Sequence, residues 1–138
     1  MKQDWSKSWK ASTQPRKQRK YRANAPDHVK RSFLGCHLSK ELREKHGTRT
    51  VKVRKGDKVK VLRGQFKGQS GKVERVNVSH EAVFVTKIET IKKDGTKNMQ
   101  PLKASSLMII ELDSSDKRRL KTIKKGETKI GKAAPQEA

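Results

Sequence analysis

Three pairs of a glycine and a cation stand within ten positions of this chain: Arg63-Gly64, Lys67-Gly68 and Gly71-Lys72. Glycine takes up positive φ and sharp bends that other residues reach only at a cost. It also leaves backbone N–H groups bare, so an anion can approach them closely. A cation beside each glycine would hold that anion, and arginine forks a phosphate through two N–H bonds. These residues therefore suit phosphate binding without bond making. A second reading needs no ligand, because the same glycines can turn a tight corner between strands. The two readings are compatible.

A second basic cluster is "PRKQRKYR", residues 15–22, in which Arg16, Lys17, Arg19, Lys20 and Arg22 surround Tyr21. An aromatic ring among cations can stack on an unpaired base. Lys30 and Arg31 continue the basic segment, and Trp5 and Trp9 precede it. The two tryptophans suit either base stacking or packing on a neighbouring protein. A solvated run of charge is the plainer reading of the segment, but it leaves the arginines around Tyr21 unexplained.

Bond-making chemistry has no constellation here. No serine sits in a nucleophile signature, and neither does the single cysteine, Cys36. His28, His37, His46 and His80 lack metal-ligand spacing. "GETKIGKA", 126–133, falls short of a P-loop, since Ala133 stands where a serine or threonine would hold the metal and no strand precedes it. The expectation is a binding protein and not an enzyme, with no cofactor, no metal and no small-molecule substrate.

Charge points to the partner. Lys and Arg number 36 against 14 Asp and Glu, for a formal charge of +22 on 138 residues. Such a surplus strains a compact fold by self-repulsion and is best explained by a polyanion, usually nucleic acid. One cysteine excludes an internal disulfide and fits a reducing cytosol. The longest apolar run is four residues, so neither a membrane span nor a signal-peptide core is expected.

The elements that must position these residues are unevenly spread. Of 27 Val, Leu, Ile and Phe, 19 fall in residues 51–112. That predicts a small globular centre at 51–112 between a basic N-terminal extension, 1–50, and a C-terminal segment, 113–138. The arms are expected to order only on a partner. Helical periodicity before residue 35 is weak and interrupted by Pro15 and Pro26. "LSKELREKHG" predicts a short helix over 39–46, capped by Ser39 and stopped by Gly47.

From residue 50 the period becomes two. "VKVRKGDKVKVL" alternates apolar and basic residues, which predicts one buried face and one wet, basic face that includes Arg54. Lys55–Asp57 carries a turn signal. "GKVERVNV" resumes after the glycine loop, with Val73 out of phase, which predicts a bulge. "AVFVTKIETI" reads as a third strand, "KNMQPLK" as an edge strand and "SLMIIEL" as the last. "KKDGTK" predicts a hairpin with a two-residue type I′ turn at Asp94-Gly95. About five strands in so short a stretch predict a mainly β fold, a small bent barrel. "DSSDKRRLKTIKKG" predicts a basic helix after it, followed by a mobile tail.

"GDKVKVLRGQFKGQSGKVERV", 56–76, resembles a KOW motif, which also occurs in transcription elongation factors. "LSKELREKHGTRTVKVRKGD", 38–57, resembles the segment before that motif in one universal family of large-subunit ribosomal proteins. That family is numbered twenty-four in bacterial and archaeal naming and twenty-six in eukaryotic naming. The "DGT" hairpin, the last strand and the basic helix follow in the same order, so the resemblance spans roughly residues 15–125. It implies an SH3-like barrel with extensions and no enzymatic activity. It implies binding to the 5′-proximal region of large-subunit rRNA early in assembly, beside neighbouring ribosomal proteins near the exit of the nascent-peptide tunnel. The location implied is the cytoplasmic ribosome. Carried over by position, the RNA-facing loop falls on Arg63–Lys72 and the basic segment on Arg16–Arg31. A transcription or RNA-processing factor using the same module is the alternative. Against it stand the absence of a second domain to grip a polymerase and arms too basic for a mainly protein partner.

Overall fold

Alternation decides which face each strand buries. In "KVKV", Val59 and Val61 are buried while Lys58 and Lys60 face water. The computed structural model describes residues 5–116, 118 and 119. A 3-10 turn at Lys7–Ala11 leads into helices α1 (Pro15–Asn24) and α2 (Asp27–Lys30). Strand β1 (Gly35–Leu38) and helix α3 (Lys40–His46) follow. Next come β2 (Thr50–Lys52), β3 (Lys58–Val61), β4 (Ser70–Asn77) and β5 (Ala82–Val85). The last strands are β6 (Glu89–Ile91), β7 (Lys97–Met99), β8 (Leu102–Lys103) and β9 (Leu107–Glu111).

Seven strands form one sheet in the order β2-β1-β9-β3-β4-β5-β8, and β6 and β7 form a separate hairpin. β1 runs parallel to β9, and the other pairs are antiparallel. Leu34, Cys36, Leu38, Val59, Val61, Val73, Val83, Val85, Leu107 and Ile109 belong to a single apolar cluster. Among the described residues no helix is long and apolar enough to cross a membrane.

The architecture is mixed, with nine strands and three α-helices among the described residues, where about five strands in a mainly β fold were expected. Three of the four extra strands come from local breaks in expected strands. The turn at Gly56, φ +96°, separates β2 from β3. Lys87, at φ +69°, and the Ile88 N–H bond to the Val85 carbonyl break "AVFVTKIETI" into β5 and β6. Pro101, which has no N–H to give a ladder, parts β7 from β8. β1 lies in the stretch read as an arm, because "GCHL" is too short and too mixed to show a period. The ladder is also not a closed barrel: among the described residues, β2 and β8 are its two open edges.

Other expectations hold. The Ser39 hydroxyl accepts from the Leu42 N–H, and Gly47 ends α3 at φ +58°. The register of β4 against β5 slips between Val73 and Arg75, which puts Val73 in the core. The hairpin differs in detail. Lys92 N–H donates to the Thr96 carbonyl and Gly95 N–H to the Lys92 carbonyl, and only Gly95 has positive φ. That is a three-residue loop with glycine at its left-handed position, not a type I′ turn. Asp94 selects it by accepting from both the N–H and the hydroxyl of Thr96, contacts that also lower its carboxyl pKa.

The N-terminal arm is folded from residue 5 on. Pro15 does not interrupt α1 but starts it, since a proline in the first turn forfeits no helical bond, and Pro26 stands just beyond its end. Trp5 and Phe33 both pack against Tyr21, with centroids 5.3 and 6.2 Å away. The helix expected at Asp113–Gly126 lies mostly outside the described residues, and the tail lies wholly outside them.

Cys36 sits fully buried on β1, where its thiol donates to the Leu107 carbonyl at 3.1 Å. Burial, followed by the charge of Asp57, pushes its pKa up to about 12. Native protein should therefore resist iodoacetamide at pH 8 and react promptly in guanidinium. Rapid native labelling would contradict the burial. The sign for stability follows: above the unfolded thiol's pKa, about 8.5, only the unfolded state ionises, so stability falls as pH rises towards the folded value.

Candidate nucleic-acid interface

The glycine loop, residues 62–69, joins β3 to β4. Val61 N–H donates to the Gln69 carbonyl and Gly68 N–H to the Val61 carbonyl, at 2.8 and 2.9 Å, which closes its base. Phe66 packs against the core from the loop and anchors it. Gly64 and Gly68 have φ of +94° and +90°, and a Cβ at either would meet nothing within 4 Å. So these two glycines serve the turn and face open space. Arg63 and Lys67 are exposed at the same tip. Among the described residues, the N–H groups of Gly64, Gln65 and Phe66 have no intramolecular acceptor. Successive free N–H groups beside two cations have the chemistry to receive an anion.

Gly71 behaves differently. Its φ is ordinary, and a Cβ there would lie 2.4 Å from the Thr86 carbonyl oxygen and 2.8 Å from a Val85 methyl. The close approach at Gly71 is therefore between two segments of this protein, not towards a ligand. Lys72 stands in the ladder opposite Lys58 rather than at the loop tip, and its N–H donates to the Thr86 hydroxyl at 3.0 Å.

On α1, 3.6 residues per turn place Arg16, Arg19 and Lys20 on one face and Gln18 and Tyr21 on another. Arg16, Lys17, Arg19 and Lys20 are exposed. Tyr21 is only 6% exposed, and its carbonyl accepts the Trp5 indole N–H at 3.1 Å. The expectation that its ring stacks on a base is corrected: it is the packing centre of the arm. Gln18 holds the preceding 3-10 turn by donating to the carbonyls of Lys10 and Ser12. Lys20 lies 5.2 Å over the Trp9 ring.

Arg22 and Arg54 are exposed but tied. Arg22 pairs with Glu81, a non-glycine residue at φ +53°, and lies 5.1 Å over the Phe33 ring. That pair fastens the arm to the turn before β5. Arg54 pairs with Asp116, whose carboxyl is held below its usual range chiefly by this bond. Lys30 is half-buried on α2, and Arg31 is exposed.

One constellation was missed by sequence reasoning. Asp57, fully buried at the start of the KOW-like stretch, receives both guanidinium Nη groups of Arg119, at 2.6 and 2.7 Å. It also accepts the N–H groups of Arg54 and Asp113, and Arg119 donates to the Lys52 carbonyl as well. Asp57 was visible only as a turn residue and Arg119 only as one cation among many. No spacing links residues 62 apart.

Comparison with known proteins places the sequence. The large ribosomal subunit protein uL24 of Methanosarcina barkeri (strain Fusaro / DSM 804) is 46% identical over 114 residues, covering 83% of this chain and 98% of that protein. A family model for the ribosomal proteins called L26 in eukaryotes and L24 in archaea matches residues 12–126. The stretch matched includes α1, the glycine loop and the Asp57–Arg119 pair. The chain belongs to this family of eukaryotic L26 and archaeal L24 ribosomal proteins.

Proposed function

We propose that this ribosomal protein is a structural constituent of the large subunit that binds the 5′-proximal region of its rRNA. It acts early in assembly, beside neighbouring ribosomal proteins near the tunnel exit, on the cytoplasmic ribosome. Its family is non-enzymatic, and its mechanism is binding rather than turnover. The observation that carries the reading is the glycine loop: free N–H groups at Gly64, Gln65 and Phe66, with Arg63 and Lys67 beside them. The loop holds RNA phosphate, and the exposed face of α1 carries Arg16, Lys17, Arg19 and Lys20 to a second stretch of backbone. Lys72, Lys30, Arg31 and the tied Arg22 and Arg54 supply further contacts to RNA backbone. Shape rather than sequence is read, because side chains do not reach base edges in the deep groove of A-form RNA. The seven-stranded sheet is taken as the SH3-like barrel of a KOW module, left open between β2 and β8. Support for that comes from a core drawn from β1, β3, β4, β5 and β9 together.

Arg63→Glu/Lys67→Glu should bind a 5′-region rRNA transcript about tenfold or more weakly, with an unchanged melting temperature. The slope of log K against log salt should become shallower by about 0.7–0.9 for each phosphate no longer neutralised. Unchanged affinity and slope in a filter-binding titration would remove the loop from the interface.

A further inference from the structure

Three cations from two segments rim one cleft: Arg31 after α2, and Lys52 at the end of β2 with Arg54 just beyond it. Leu34, Val53, Val76 and Val78 line it. Leu34 and Val53 are buried core residues, while Val76 and Val78 are half-buried and leave apolar surface open to the cleft. The cleft measures about 430 Å³, within the ~300–1,000 Å³ of sites that take small molecules. Among the described residues no carboxylate lines it. The clefts at Gly71 and beside α1 differ, since Glu111 lines the first and Glu81 the second.

An apolar floor under a cationic rim complements a single nucleotide, whose base is flat and weakly hydrated and whose phosphates are charged. Duplex RNA matches it poorly: its backbone would meet the cations but leave Val76 and Val78 uncovered, because its bases are paired and stacked. We propose that this cleft captures one unpaired nucleotide of the bound RNA. The base lies on Val76 and Val78, and its flanking phosphates meet Arg31, Lys52 and Arg54. The inference rests on the reading of the chain as RNA-binding and adds a base-contacting subsite to a surface that otherwise meets backbone. Asp116 competes for Arg54, but that pair is exposed on both sides, 51% and 41%, so a phosphate can exchange into it.

The test follows methyl and amide NMR shifts of the full chain with two probes, single-stranded oligoadenosine and an abasic ribose–phosphate oligomer of equal length. Oligoadenosine should move the Val76 and Val78 methyls saturably. The abasic oligomer should leave them in place while still moving the amides of Gly64 and Gly68. Val76→Ser/Val78→Ser should weaken oligoadenosine several-fold and leave the abasic oligomer unaffected. Equal valine shifts from both probes would overturn base capture and reduce the cleft to a phosphate site. Silence at the valines with a responding loop would remove the cleft from the RNA surface while leaving RNA binding intact. Silence at both would sink the RNA reading itself.

Discussion

Arg119→Met should destabilise the protein by about 3–5 kcal/mol, the loss expected when one partner of a buried ion pair is removed. The Asp57 and Arg119 side chains are 0% and 4% exposed, so solvent cannot replace the missing guanidinium. The Arg54 and Asp113 N–H groups would remain on Asp57, but two amides do not neutralise a buried carboxylate. Small domains have only about 5–15 kcal/mol in total, so the variant should melt near working temperature. In urea the midpoint should fall with the slope nearly unchanged. Asp57→Asn/Arg119→Met should be less destabilised than Arg119→Met alone, because the second change removes the stranded charge. Additive losses would mean that the pair does not act as one. The consequence for architecture is that Asp113 and Arg119, beyond β9, belong to the fold. A chain cut after Leu112 should lose as much stability as Arg119→Met.

Gly71→Ala should be the most damaging of the glycine substitutions. A single methyl group would sit 2.4 Å from the Thr86 carbonyl oxygen, and a backbone atom cannot swing aside as a side-chain end can. Either the β4–β5 ladder opens, losing the Thr86 N–H bond to Lys72, or the strands part along their length. The cost belongs at the upper end of the ~1–3 kcal/mol typical of overpacking. Gly68→Ala meets no neighbour and bears only the strain of positive φ, roughly 1–2 kcal/mol. Thermal melts should rank the two in that order. RNA titration should separate them further: folded Gly71→Ala should keep its affinity, while Gly68→Ala should distort the loop and bind more weakly. The reverse ranking would return Gly71 to the binding surface.

What could be read in the sequence was whatever leaves a local mark. α3 showed its serine cap and glycine stop, and β3 and β9 showed their apolar periodicity. The bulge at Val73 announced itself as a break in phase. β1 did not, because four residues with glycine and histidine carry no period, and its place beside β9 is a tertiary fact. The loop's charge and glycines were legible, but the division of labour among the glycines was not. Gly64 and Gly68 differ from Gly71 in what surrounds them, and that depends on Thr86, far along the chain on the next strand's end. Tyr21 misled for the same reason. Cations flank it along the chain, yet the helix turns its ring inward onto Trp5 and Phe33. The Asp57–Arg119 pair joins two ends of the domain and has no trace in either local stretch.

The central claim, that this chain is built into the large ribosomal subunit through its rRNA, has one direct test. Native lysate is sedimented through a sucrose gradient at low salt and again after a moderately high-salt wash, with each fraction blotted for the protein. Retention with the large subunit through the wash is the predicted result, because many buried phosphate contacts within folded rRNA do not dissociate as a peripheral pair would. Release into light fractions at low salt, or sedimentation with RNA polymerase, would contradict it.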